Sequence, residues 1–142
     1  MKKSTLINSE ISYEISKMGH TDSIVVCDSG LPIPSGVKRI DLALKKGLPT
    51  FLDTLDTILE ELEVEEVVIA KEIIEASNDL YKEIEKRFAN ITITTVSHED
   101  FKILTKFLTE SSISAVVLPS SVNDTNTSFA SFFIKCLIEV SK

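Results

Sequence analysis

Three side chains in this sequence stand where proton chemistry could be done. His20 precedes the short apolar run Ser23-Ile24-Val25-Val26-Cys27, and Asp28 closes it, ahead of the turn Ser29-Gly30-Leu31-Pro32-Ile33-Pro34. His98, the second of only two histidines, sits in Ser97-His98-Glu99-Asp100, directly after another apolar run. A neutral imidazole titrates near pH 6.5 and can give or take a proton at neutral pH. A carboxylate at the far end of an apolar strand is placed to receive the hydroxyls of a polyhydroxylated ligand, because ligands of open α/β sheets gather at the carboxyl ends of the strands. His20 and Asp28 each have a purely structural alternative. His20 could cap the negative end of the preceding helix, and Asp28 could close an Asx turn on Ser29 or Gly30. Lys102 follows His98 by four residues and can share a helix face with it. Asp22 reads as facing solvent or capping a turn. Arg39 and Asp41, either side of Ile40, read as a local ion pair or a subunit contact.

The elements that must hold these groups follow from hydrophobic spacing. Leu6, Ile7, Ile11, Ile15 and Met18 recur at helical intervals, with Asn8 or Ser9 as the cap and Gly19 as the terminating C′ residue. Ser23–Cys27, Val67–Ala70, Ile91–Val96 and Ala115–Leu118 read as strands. Phe51–Leu62 carries a clear amphipathic helix face, and helices also follow around Leu80–Phe88 and Phe101–Leu108, the last capped by Ser97. Phe129, Phe132, Phe133, Cys136, Leu137 and Val140 form one more helical stripe. Strands alternating with helices predict an α/β fold: a single domain over residues 1–142, a three-layer-like sandwich with a mostly parallel sheet flanked by helices. All four glycines fall at or before Gly47, so later turns must be made without one.

Bulk properties exclude several classes. A chain of 142 residues, 43% hydrophobic, can bury one sizeable core. A net charge of −7 leaves no basic surface for nucleic acid or an anionic membrane. The apolar stretch near Phe129–Val140 is too short to cross a bilayer. The start, Met1-Lys2-Lys3-Ser4-Thr5, lacks the apolar run of a signal peptide, so a cytoplasmic location is expected. Cys27 and Cys136 are far apart in sequence, and Cys27, inside an apolar run, reads as a buried free thiol. The histidines lack HxH or HxxxH spacing, and no GxSxG, P-loop or GxGxxG pattern occurs, so neither metal nor nucleotide cofactor is expected. The acidic run Glu60-Glu61, Glu63, Glu65-Glu66 reads as a solvated helix end.

Several uncommon segments coincide in order and spacing: Gly19-His20-Thr21-Asp22, Asp28-Ser29-Gly30-Leu31-Pro32-Ile33-Pro34, Arg39-Ile40-Asp41-Leu42-Ala43-Leu44 and Gly47-Leu48-Pro49-Thr50-Phe51. With Leu6-Ile7-Asn8-Ser9, Ala70-Lys71-Glu72-Ile73 and His98-Glu99-Asp100-Phe101-Lys102, they resemble the family of small bacterial sugar mutarotases that holds the ribose pyranases and the fucose mutarotases. The resemblance covers roughly residues 1–106 and is closer to the ribose branch. It implies a cofactor-independent isomerase that interconverts β-D-ribopyranose and β-D-ribofuranose. It also implies His20 as the acid–base group, Asp28 and His98 as sugar contacts, and Lys102 as a matching lysine at the same site. A ring-based homo-oligomer, commonly a decamer, with each site completed by a neighbouring subunit, is implied too. After Lys106 the chain departs from the pattern. The family's Thr-Pro-Tyr-Ala-Asn type motif has no counterpart, and both tyrosines, Tyr13 and Tyr81, lie earlier. A reading-frame change near residue 106 and a divergent tail are the two accounts of this. The alternative function is a non-catalytic sugar-binding or structural relic of the same fold.

Overall fold

Burial of Ile24-Val25-Val26 and Val67-Val68-Ile69 on every side chain means that any sheet containing them must be covered on both faces. The computed structural model describes residues 2–19, 22–107, 113–118 and 133–137. In chain order the elements are α1 (Ser9–Lys17), β1 (Ser23–Asp28), β2 (Lys38–Asp41), α2 (Phe51–Leu59), β3 (Glu66–Ala70), α3 (Glu72–Ala76), α4 (Asn78–Arg87), β4 (Thr92–Val96), α5 (His98–Phe107), β5 (Ile113–Leu118) and β6 (Phe133–Leu137). The strands form one sheet in the order β2-β5-β1-β6-β3-β4. β5 pairs parallel with β1 and β2, and β3 pairs parallel with β4. β6 runs antiparallel between β1 and β3. Five strands therefore point the same way and end at one edge.

Alternation along β1 and β3 divides the core into two layers. Ile24, Val26, Val67 and Ile69 pack with Ile40 of β2 and with Ile11, Leu55, Ile58, Ile73 and Ile84 of the first four helices. Val25, Cys27, Val68 and Ala70 face the other way, against Leu31 and Phe101 of α5. The result is the expected α/β sandwich of three layers. Burial, with a smaller contribution from the charge of Asp28, pushes the Cys27 thiol up to about 12, so the buried cysteine is an inert core residue. Between helices, Arg87 of α4 forks onto both oxygens of Asp56 on α2, with Nη2 2.8 Å from Oδ2. That guanidinium holds the Asp56 carboxyl below the usual carboxylate range. The pair is part-exposed and contributes on the order of 1 kcal/mol or less.

Side-chain caps start α1, as the sequence implies, and α2. Asn8 Oδ1 accepts the Ile11 amide at 2.9 Å, and Thr50 Oγ1 accepts that of Asp53 at 3.1 Å. Gly19 differs from expectation. The helix already ends at Lys17, Met18 turns extended, and the Met18 amide bonds back to the Ile15 carbonyl at 3.2 Å. The only left-handed glycines among the described residues are Gly36 and Gly47. β2 and α3 are elements that hydrophobic spacing alone did not separate. Each is short, and only Ile40 of β2 and Ile73 of α3 are buried.

The main correction concerns the C-terminal stripe read as helix. Residues 133–137 form strand β6 at the centre of the sheet. A short apolar run fits both periods, and tertiary context decides between them. Here the context is two apolar strands, β1 and β3, whose inner edges need backbone partners. The rest of that stripe lies outside the described residues.

Among the described residues, both strand neighbours of β1 and the only strand neighbour of β2 come after residue 112. A chain stopped after Phe107 should therefore show no cooperative thermal transition by circular dichroism and should collect in the insoluble fraction. A cooperative melt close to that of the full chain would contradict this pairing scheme.

Candidate active site

The shared strand direction brings three acid–base side chains to one edge of the sheet. β1 ends in Asp28, β3 leads through Lys71 into Glu72, and β4 leads through Ser97 into His98. The junctions after β3 and β4 are tied together, because the Lys71 amide donates to the Val96 carbonyl at 2.8 Å.

Asp28 is half-buried, and its Oδ1 accepts the Gly30 amide at 2.8 Å. The Leu31 amide donates to the Asp28 carbonyl at 3.3 Å. The Asx turn open as an alternative is thus present. It engages one oxygen of a group that can accept several hydrogen bonds, so it orients the carboxylate without exhausting it. Burial pushes the Asp28 carboxyl above the ordinary value, while the Gly30 amide and the charge of His98 pull it down. Asp28 and His98 thus stand at the carboxyl ends of parallel-running strands, and the charge of His98 is felt at Asp28.

His98 is the first residue of α5 and is partly buried. Ser97 caps the helix as expected: its Oγ accepts the Asp100 amide at 3.1 Å and donates to Asp100 Oδ2 at 2.5 Å. The His98 amide donates to Glu72 Oε1 at 3.0 Å. Glu72 was not singled out from sequence, although Ala70-Lys71-Glu72-Ile73 follows a strand just as Asp28 ends one. Applying the strand-end rule to β3 would have found it.

Lys102 falls on α5 one turn after His98, and its side chain lies outside the described residues. His20 and Thr21 also lie outside them. Their flanks are fixed, however. The Gly19 amide donates to Asp22 Oδ2 at 2.8 Å, and the Asp22 amide donates to the Gly19 carbonyl at 3.1 Å. Asp22 is a turn cap, as read from sequence. Arg39 and Asp41 form the local ion pair, with Nη2 2.8 Å from Oδ2, and Asp41 Oδ1 accepts the Ala43 amide at 2.9 Å. The Arg39 bond holds the Asp41 carboxyl below its usual range. Among the described residues, no group of three or more histidine, cysteine, aspartate or glutamate side chains is clustered as a metal site would need. A half-buried carboxylate and an imidazole at the same edge of the sheet can bind hydroxyls and carry protons, which is the equipment of an acid–base site acting on a polyol.

Comparison with known proteins agrees with this chemistry. A D-ribose pyranase of Rhodopirellula baltica is 58% identical, with 72% of this chain and 78% of that protein covered. One from Coprothermobacter proteolyticus is also 58% identical, covering 75% of this chain and 81% of its own length. The solved structure of Bacillus subtilis RbsD complexed with D-ribose matches over 100% of both chains, with a TM-score of 0.82 and 38% identity. The family model of the RbsD / FucU transport protein family matches residues 1–120, which extends the likeness past Lys106 into β5. With the match reaching both the strand that bears Asp28 and the helix that begins at His98, this chain belongs to the RbsD / FucU family.

Proposed function

We propose that this chain is an isomerase that interconverts β-D-ribopyranose and β-D-ribofuranose, the activity of a D-ribose pyranase. What carries this reading is that the relatives 58% identical to it are D-ribose pyranases. The solved relative that spans the whole chain is described as complexed with D-ribose.

The reaction moves protons only. The anomeric hydroxyl loses its proton as the bond from C1 to the ring oxygen breaks, and the ring oxygen takes up a proton. This yields the open-chain aldehyde. The C4 hydroxyl oxygen then attacks C1 and gives up its proton, while the carbonyl oxygen gains one, closing the smaller ring. No electrons are exchanged, and a proton carrier with a pKa near neutrality suffices, worth about 10²–10⁴-fold in rate.

In our reading His20 is that carrier, and Asp28 and His98 hold the sugar hydroxyls, with Lys102 beside them. Supporting it are the position of Asp28 at the strand edge and its coupling to His98. In this reading the enzyme acts in the cytoplasm as a decamer. Among the described residues, no helix is long and apolar enough to cross a membrane.

Three measurements test these assignments. In exchange NMR of ribose, the purified protein should accelerate pyranose–furanose exchange, and His20→Ala should lower the rate by at least about 10²-fold. Ribose binding without acceleration in the unmutated protein would instead identify the sugar-binding relic. Because burial raises the Asp28 pKa, acidification should protonate it above the ordinary carboxylate midpoint of about 3.9. Ribose affinity should then fall with acid at a midpoint above that value, and Asp28→Asn should remove this acid limb. An acid limb retained in Asp28→Asn would rule Asp28 out as the ionised contact. Finally, native mass spectrometry of protein recovered from the cytosolic fraction should show ten copies; monomers, or protein confined to another fraction, would overturn the assembly or the compartment.

A further inference from the structure

We propose that Glu72 is a positioning residue for the sugar site: its carboxylate sets where the first turn of α5, and hence His98, stands relative to the sheet. The inference rests on the reading of His98 as a sugar contact. Two of the side-chain hydrogen bonds at the start of α5 do different things. The Ser97 hydroxyl caps the Asp100 amide from within the same loop, so it defines where the helix begins along the chain. It does not define where that beginning lies in space. Glu72 does, because it reaches from the first residue of α3 to the His98 amide, with Oε1 3.0 Å from the nitrogen. The adjacent Lys71 amide holds the Val96 carbonyl at 2.8 Å, so the strand end just before His98 is pinned to the same junction.

A carboxylate on a helix N-terminal amide makes a charge-assisted bond and also faces the positive end of the helix. Those two effects make different demands on the side chain. Positioning needs reach and an acceptor oxygen. The dipole interaction needs only negative charge near the helix start. Gln at 72 keeps the reach and loses the charge, whereas Asp keeps the charge and loses one methylene of reach.

The test is ribose saturation of the exchange rate, with melting temperature recorded for each variant. If Glu72 positions His98, Glu72→Asp and Glu72→Ala should raise the half-saturating ribose concentration about tenfold with the maximal rate nearly unchanged. Glu72→Gln should stay near the unmutated protein. In a His98→Ala background, Glu72→Asp should add no further rise, since a residue acting through another is non-additive with it. The reverse order, with Asp normal and Gln impaired, would assign Glu72 to helix electrostatics and overturn the proposal. So would an additive effect in the His98→Ala background. If His98→Ala itself leaves ribose saturation unchanged, the sugar-contact reading of His98 fails. If only the Glu72 variants are silent, the positioning role alone fails.

Discussion

Between β1 and β3 runs β6, antiparallel to both, with Val26 opposite Ile134 on one side and Val68 opposite Lys135 on the other. β1 and β3 supply the innermost layer of both cores, and their backbone groups are cut off from water. A buried amide or carbonyl without a partner costs about 1–3 kcal/mol, so a central strand missing from this sheet could not be tolerated. The pairing also fixes direction. By running against both neighbours, β6 makes them parallel to each other and brings Asp28 and the β3–α3 junction to one edge.

At that edge burial and polarity oppose one another. Taking Asp28 partly out of water favours its neutral form, and the Gly30 amide and His98 restore part of what the charged form loses. The same reduced dielectric strengthens any hydrogen bond the carboxylate makes to a sugar. The Asx turn, the structural alternative to a binding role for Asp28 in the sequence, is present and holds the side chain in one orientation, which is compatible with the proposed role. The anchor at Glu72 does for His98 what Gly30 does for Asp28, through the backbone in one case and the side chain in the other.

Much of this was legible in the residues. The strand ending at Asp28, the Ser97 cap before His98, the Asp22 turn and the Arg39–Asp41 pair all depend on neighbours within a few positions, where spacing carries the information. What escaped the sequence depended on distant partners. Phe133–Leu137 has the composition of either a helix or a strand, and only the empty place between β1 and β3 decides it. Glu72 looks like an ordinary first-turn acidic residue until the topology sets the end of β4 beside it. Gly19 suggested a left-handed terminus, but an extended Met18 ends the helix by itself. His20 and Lys102 were singled out in the sequence alone, which names side chains without fixing their geometry.

The strand order bears on how the molecule is made. Among the described strands, β1 leaves the ribosome first and the two that flank it leave last. Until those two emerge, Ile24-Val25-Val26-Cys27 is an apolar edge that can only wait, stick to another chain or be shielded. Contacts between the two ends of a chain are also slow to form, because a long loop must close first. The strand that ends in Asp28 is thus one whose pairing is completed late, only once β6 has threaded into the middle of the sheet.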